Sequence, residues 1–195
     1  MDRRHFCIAG VASMACLGAD PGASVAERPT GPAIALDQVL FDSRHPGSSA
    51  FGTAAVRAGM RTAAFPGDVT AMWRETLLPL WAAGGGAIAG MTTAAGLFCL
   101  EEQAKDHWMR VVLRIEHRRP LPGMLAHRVS AAEPMLGRAC AALTDAPDWP
   151  ARSFDLLRGC LRSKNQPRLS RVVSCADRGR YSITGSDLVS WIIAA

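Results

Sequence analysis

Apolar and polar positions along the chain follow two alternating periods. Val39-Leu40-Phe41 is a short continuous apolar run ending at Asp42, the pattern of a strand buried on both faces. His45-Pro46-Gly47-Ser48 turns the chain, Ser48 or Ser49 offers a helix cap, and Ala50, Phe51, Ala54, Ala55 and Ala58 follow at helical spacing until Gly59. A second strand, Arg61 to Phe65, leads through Pro66-Gly67-Asp68 to a helix capped by Thr70, with Trp73 and Leu77 on one face; Pro79 predicts its end near Leu78. After Gly84-Gly85-Gly86, a third strand (Ala87 to Gly90), a Gly-Met-Thr-Thr turn and a helix from Thr93 follow. That helix places Leu97, Leu100, Ala104 and Trp108 on one stripe. A fourth strand begins at Val111 and alternates through Arg114, Ile115 and Glu116 to His117 and Arg118.

The strand ends fall at Asp42, Asp68, Thr92 and His117, spaced 24 to 26 residues apart, about the length of one strand–helix unit. Strands alternating with helices predict a right-handed α/β domain with a mainly parallel sheet and helices on both faces. Residues 36–118 carry these repeated units. Residues 119–195 extend the same sheet, with strands at Met124 to Val129, Val172 to Cys175 and Leu188 to Ile193. Helices are expected over Ala131 to Leu143, interrupted by Pro134, and over Ser153 to Leu161. The last strand is apolar enough to lie centrally or well covered. A chain of 195 residues fits this single domain.

The first 26 residues read as an export signal. Arg3-Arg4-His5-Phe6 precedes a weakly apolar run, Ile8 to Ala19, and Ser24-Val25-Ala26 offers a signal-peptidase site. The Arg-Arg-x-Phe core resembles the twin-arginine signal, so the export machinery of that pathway is an expected partner and the periplasm the expected location. Ser13-Met14-Ala15-Cys16 lacks the Leu that a lipoprotein box carries three residues before its Cys, which argues against lipid anchoring at Cys16. Residues 27–35 form a linker. No apolar run is long enough to span a bilayer, so the mature chain is expected to lack a transmembrane segment.

The formal charge is +5, and its excess lies late, in Arg158, Arg162, Lys164, Arg168, Arg171, Arg178 and Arg180 against Asp155 and Asp177. Tyr181 is the only aromatic beside this run, which argues against nucleic acid and for a solvated basic face. Of six cysteines, Cys7 and Cys16 leave with the signal. Cys99, among Leu97, Phe98 and Leu100, reads as a buried reduced core thiol. If any pair forms, Cys160–Cys175 is the expected one. No CxxC and no His at finger spacing supports a metal site.

In a parallel α/β sheet, ligands bind beyond the carboxyl ends of the strands. The polar residues expected there are Asp42, Ser43, Arg44 and His45, then Asp68 and Thr70, then Thr92 and Thr93, and finally Glu116, His117 and Arg118. Backbone amides at Gly90 to Thr93 are placed to hold an anion at a helix start. Each residue also has an ordinary structural role, as a cap, turn or strand end. The chain lacks GxGxxG, GxxxxGK(S/T) and GxSxG. Val39 to Ser43 faintly resembles the opening strand of aspartate/glutamate racemases, but no catalytic Cys follows at the matching turns. The same run resembles the first motif of haloacid-dehalogenase-type phosphatases, with Arg44 where that motif needs a second Asp.

Phe41-Asp-Ser-Arg44, Ser49-Ala-Phe51, Gly67 to Trp73, the stretch from Ala87 to Arg118 and the closing Leu188 to Ile193 together resemble a group of uncharacterised proteobacterial twin-arginine signal proteins. The resemblance implies export and supplies no catalytic assignment. The expected function is therefore an exported binding protein for a small, anionic ligand, or an accessory to a periplasmic enzyme. The alternative is a hydrolase using Asp42, Asp68 and His117. The cofactor is left open.

Overall fold

The computed structural model describes residues 32–162, 167–181, 183 and 187–195; the expected export signal, residues 1–26, and most of the expected linker lie outside these residues. Seven strands form one sheet in the order β2-β1-β3-β7-β4-β5-β6. They are β1 (Leu36–Asp42), β2 (Thr62–Phe65), β3 (Ala87–Thr93), β4 (Arg110–Arg118), β5 (Met124–Ala132), β6 (Arg168–Ala176) and β7 (Leu188–Ala194).

The mainly parallel sheet expected from the strand–helix rhythm is replaced by a mixed one. β1 pairs parallel with β2 and β3, whereas β3–β7, β7–β4, β4–β5 and β5–β6 are all antiparallel. Two causes are visible. All seven residues of β7 are buried, so this strand takes the sheet centre, between β3 and β4. Residues 119–123 are too few for a crossover and fold β5 back on β4 as a hairpin. β4 still runs in the same sense as β1 to β3, because β3 and β4 both flank β7 in antiparallel register.

Helices cover both faces. On one, Val39, Met91, Leu113, Ile115 and Ile192 pack against α1 (Pro46–Arg57), α5 (Glu133–Leu143) and α6 (Trp149–Arg158) through Phe51, Leu136, Phe154 and Leu157. On the other, Leu40, Ile88, Val189, Trp191 and Ile193 meet Leu77 and Trp81, together with Leu97 and Leu100 of α4 (Ala94–Lys105). Among the described residues no helix covers β5 and β6 on this second face, and β4 accordingly alternates buried and half-exposed residues.

Several local expectations change for physical reasons. Neither Ser48 nor Ser49 caps α1; His45 holds that position, and Pro46 starts the helix with its preset φ. Asp68, not Thr70, caps α2 (Val69–Met72), its carboxylate accepting from Thr70 N at 2.8 Å. Pro79 does not end the helical segment. A π turn, Trp73–Leu77, widens the backbone just ahead of it, and the chain continues as α3 (Leu78–Ala82) with Pro79 in its first turn. Pro134 likewise opens α5 instead of breaking it. β3 runs straight through the expected Gly-Met-Thr-Thr turn.

Trp108 leaves the α4 stripe because the helix stops at Lys105; with φ at 58° the residue swings out and is 92% exposed. Cys99 is also exposed, since the buried stripe of α4 is Gly96, Leu97, Leu100 and Ala104. Cys160 and Cys175 are both buried and both free, so the expected pairing does not form.

Candidate ligand-binding site

The predicted edge exists. Asp42 registers with Phe65, Phe41 with Met91, and Thr93 and His117 both register with Leu188, so the carboxyl ends of β1 to β4 share one side of the sheet. Its polar groups, however, are used internally. Asp42 is buried, and Oδ1 accepts from Arg44 N at 3.1 Å and Nε at 3.0 Å, while Oδ2 accepts from Nη2 at 2.7 Å. Burial alone would raise the Asp42 pKa; the Arg44 hydrogen bonds and charge, helped by His45, hold it below its ordinary value. The Arg44 guanidinium lies where a side chain on Gly67 would stand, 1.9 Å from an added Cβ, and Gly67 has φ of 86°. This contact ties the β1–α1 loop to the β2–α2 loop. Ser48 completes the corner: its hydroxyl donates to Met91 O at 2.5 Å and accepts from Asp42 N at 2.9 Å.

The remaining predicted residues are equally committed. Asp68 and Thr70 are exposed and form the α2 cap. Thr92 is buried and accepts from Trp191 Nε1 at 3.1 Å. Thr93 caps α4 by accepting from Gly96 N at 3.2 Å. Arg118 pairs with Glu116 at 3.1 Å and Asp187 at 3.0 Å. The amides of Gly90 to Thr93 belong to the strand ladder rather than to an anion-holding turn.

The Asp42/Asp68/His117 constellation does not assemble. Two strands, β3 and β7, separate β1 from β4, which puts Asp42 and His117 about 14 Å apart at strand spacing. Asp68 follows β2, one strand farther out. Among the described residues no three His, Cys, Asp or Glu side chains are placed to hold a metal ion.

His117 belongs instead to a buried polar row. Its Nε2 lies 2.9 Å from Ser190 Oγ, its Nδ1 lies 2.8 Å from His127 Nδ1, and His127 Nε2 is 3.9 Å from Cys175 Sγ. One residue comes from each of β7, β4, β5 and β6. The Trp149 ring covers the row, its centroid 4.4 Å from that of His117, and Gly47 lets α1 approach: a Cβ there would stand 3.1 Å from Trp149. Two neutral imidazoles satisfy the row in either of two proton orders, running from Ser190 to Cys175 or back. Burial, and for His117 also the neighbouring His127, pushes both pKa values down, that of His127 to about 4. Sequence reading missed His127, Ser190 and Trp149. The available signal was the hairpin, which sets His117 directly opposite His127.

A cleft of about 290 Å³ opens at the opposite side of the sheet, where β4 and β6 begin and β5 and β7 end. Buried Ile34, Met109, Val111, Met135 and Cys160 give it an apolar interior. Among the described residues Lys105, Arg110, Arg162 and Arg168 line it with one acidic side chain, Glu101. Arg168 is fixed in place, donating through Nη1 to Val111 O at 2.7 Å. Partial burial, with attraction to Glu101 opposed by repulsion from Arg114 and Arg110, lowers its pKa from the ordinary guanidinium value. Burial pushes the Cys160 thiol up to about 11, which keeps it protonated at neutral pH. Arg162 and Arg168 stood out in the sequence as part of a basic run; their convergence on an apolar cleft did not. Comparison of the chain with family models, with curated proteins and with solved structures gave no match.

Proposed function

We propose that the chain is an exported periplasmic binding protein whose cleft takes a small anion with an apolar body, a carboxylate on a short hydrocarbon being the simplest case. The observation that carries this reading is the cleft's composition among the described residues: an apolar interior with four cationic side chains and one acidic side chain. Pockets for small molecules combine a mostly apolar lining with a few placed polar groups. A fixed guanidinium is suited to a carboxylate, and each charge-assisted hydrogen bond contributes about 1.5–3 kcal/mol. Export is supported by Arg3-Arg4-x-Phe6 ahead of the weakly apolar run. The hydrolase alternative draws no support from the geometry, because its three residues stand apart.

Titration calorimetry with decanoate tests the binding reading. One saturable site is expected, weakened about tenfold or more by Arg110→Gln with Arg162→Gln, since loss of a single charge-assisted contact of 1.4 kcal/mol is already tenfold. Met135→Trp is expected to fill the cleft and abolish binding. Unchanged affinity in both variants would exclude this site. For export, replacing Arg3 and Arg4 by Lys is expected to leave the precursor in the cytoplasm; cell fractionation showing normal processing would refute the signal assignment.

A further inference from the structure

The last strand of the sheet points to a second interaction surface, independent of the cleft. Among the described residues β6 pairs only with β5, and it does so in unbroken register over nine residue pairs, Arg168 to Ala176. It contains neither Pro nor Gly, and no bulge interrupts it. Seven of its nine residues are exposed, including two large apolar ones, Leu169 at 43% and Val172 at 54%. Exposed edges are usually shortened, bulged, broken by proline or covered, because a row of unpaired backbone N–H and C=O groups templates another strand. Among the described residues none pairs with this outer edge, and Asp177 and Asp187, between β6 and β7 in the chain, are held at the strand ends by ion pairs to Arg119 and Arg118.

The charge around the edge indicates what it accepts. Between Arg162 and Tyr181 the chain carries six basic residues and a single acidic one, Asp177, which Arg119 already pairs. Arg171 projects from the strand itself and Arg178 follows it. A second copy is a poor occupant. Antiparallel pairing centred on Arg171 would set the two Arg171 side chains directly opposite each other, and like charges so placed are destabilising. An acidic strand meets the opposite condition. We propose that the outer edge of β6 docks an extended acidic segment of a partner polypeptide as an eighth strand, its acidic residues on the face of Arg171 and its apolar residues on the opposite face beside Val172. Backbone pairing supplies affinity in this mode, and alternate side chains supply selectivity.

The probe is a fluorescein-labelled eight-residue peptide of alternating Glu and Val, read by anisotropy against the full mature chain. Saturable binding is expected, weakening as salt rises. A peptide N-methylated at alternate amides is expected to lose at least tenfold, as is the chain carrying Arg171→Glu with Val172→Glu. Both positions are exposed, so folding should survive; if the double variant fails to fold, Arg171→Gln alone is expected to lose affinity in the same direction. Decanoate binding in the cleft should be unchanged by these variants, which separates the two surfaces. The proposal is overturned by absence of saturable binding or by equal affinity of the N-methylated peptide, which would mean charge alone. It is also overturned by a concentration-dependent dimer in sedimentation that the double variant abolishes, which would make a second copy the occupant.

Discussion

Lowering the pH from 7 to 4 is expected to remove about 3 kcal/mol of folding stability through His127 alone. The sign follows from linkage. The folded-state pKa of about 4 lies below the ordinary value of 6.5, so between these limits the unfolded chain binds the proton that the folded chain refuses. Stability is complete above 6.5, falls as the pH drops through that value, and levels off near 4. His117 adds to the loss in the same direction, being fully buried against His127 and Ser190. Asp42 and Asp177, whose pKa values are held below the ordinary carboxylate value, act only at lower pH and do not blur this window. Total stability of a domain is about 5–15 kcal/mol, so the effect is a large fraction of it. Urea midpoints at pH 7, 5.5 and 4 measure it, and replacing both histidines by Leu should flatten the dependence. If that variant does not fold, the imidazole proton shifts of the wild type serve instead: neither ring should titrate near 6.5. A midpoint that stays constant over the window would show that the row is hydrated or open.

Trp191→Ala is expected to cost about 3–5 kcal/mol, the range for removing a large buried aromatic ring. Trp191 is fully buried at the sheet centre, between β3 and β4, and packs beneath α4. Gly90 is shaped around it: a Cβ there would come within 2.5 Å of the indole and 3.0 Å of Leu40 O. The neighbouring strand cannot close over the missing ring without losing its own ladder. Trp191→Phe keeps most of the apolar surface and removes the hydrogen bond to Thr92, so a smaller loss, about 1–2 kcal/mol, is expected. Guanidinium melts of the two variants give the comparison. A loss below 1 kcal/mol for the Ala variant would contradict the assignment of this ring as the packing centre.

The contrast between β1 to β3 and the later strands explains what could be read from the sequence. The first three units combine apolar runs with helical periods of nearly constant length, and they fold as that rhythm implies. The antiparallel half was also encoded, in the alternation of β4: Val111, Leu113, Ile115 and His117 are buried while Arg114 and Glu116 stay half-exposed. A parallel strand buried on both faces would not alternate in this way. What no local pattern contained was the position of β7, since an apolar run specifies burial and not neighbours. The candidate edge was located, but its residues serve as caps and ion pairs, roles that use the same residue types as ligand contacts. The cleft was illegible for another reason. Its lining comes from segments near residues 34, 101–112, 131–135, 160–162, 168 and 194–195, and only the finished topology brings them together.

The position of β7 has a consequence for synthesis. Ile88 pairs with Ile193, and Val111 also pairs with Ile193, so both halves of the sheet depend on residues that leave the ribosome last among those described. Until then β3 and β4 each present an unpaired edge. Contacts of such long sequence separation slow folding and expose the intermediate to aggregation. In a chain of this topology the two halves of the sheet join only once β7 is in place. Completion of the central strand is therefore a single late step: a product truncated before β7 retains two open sheet edges.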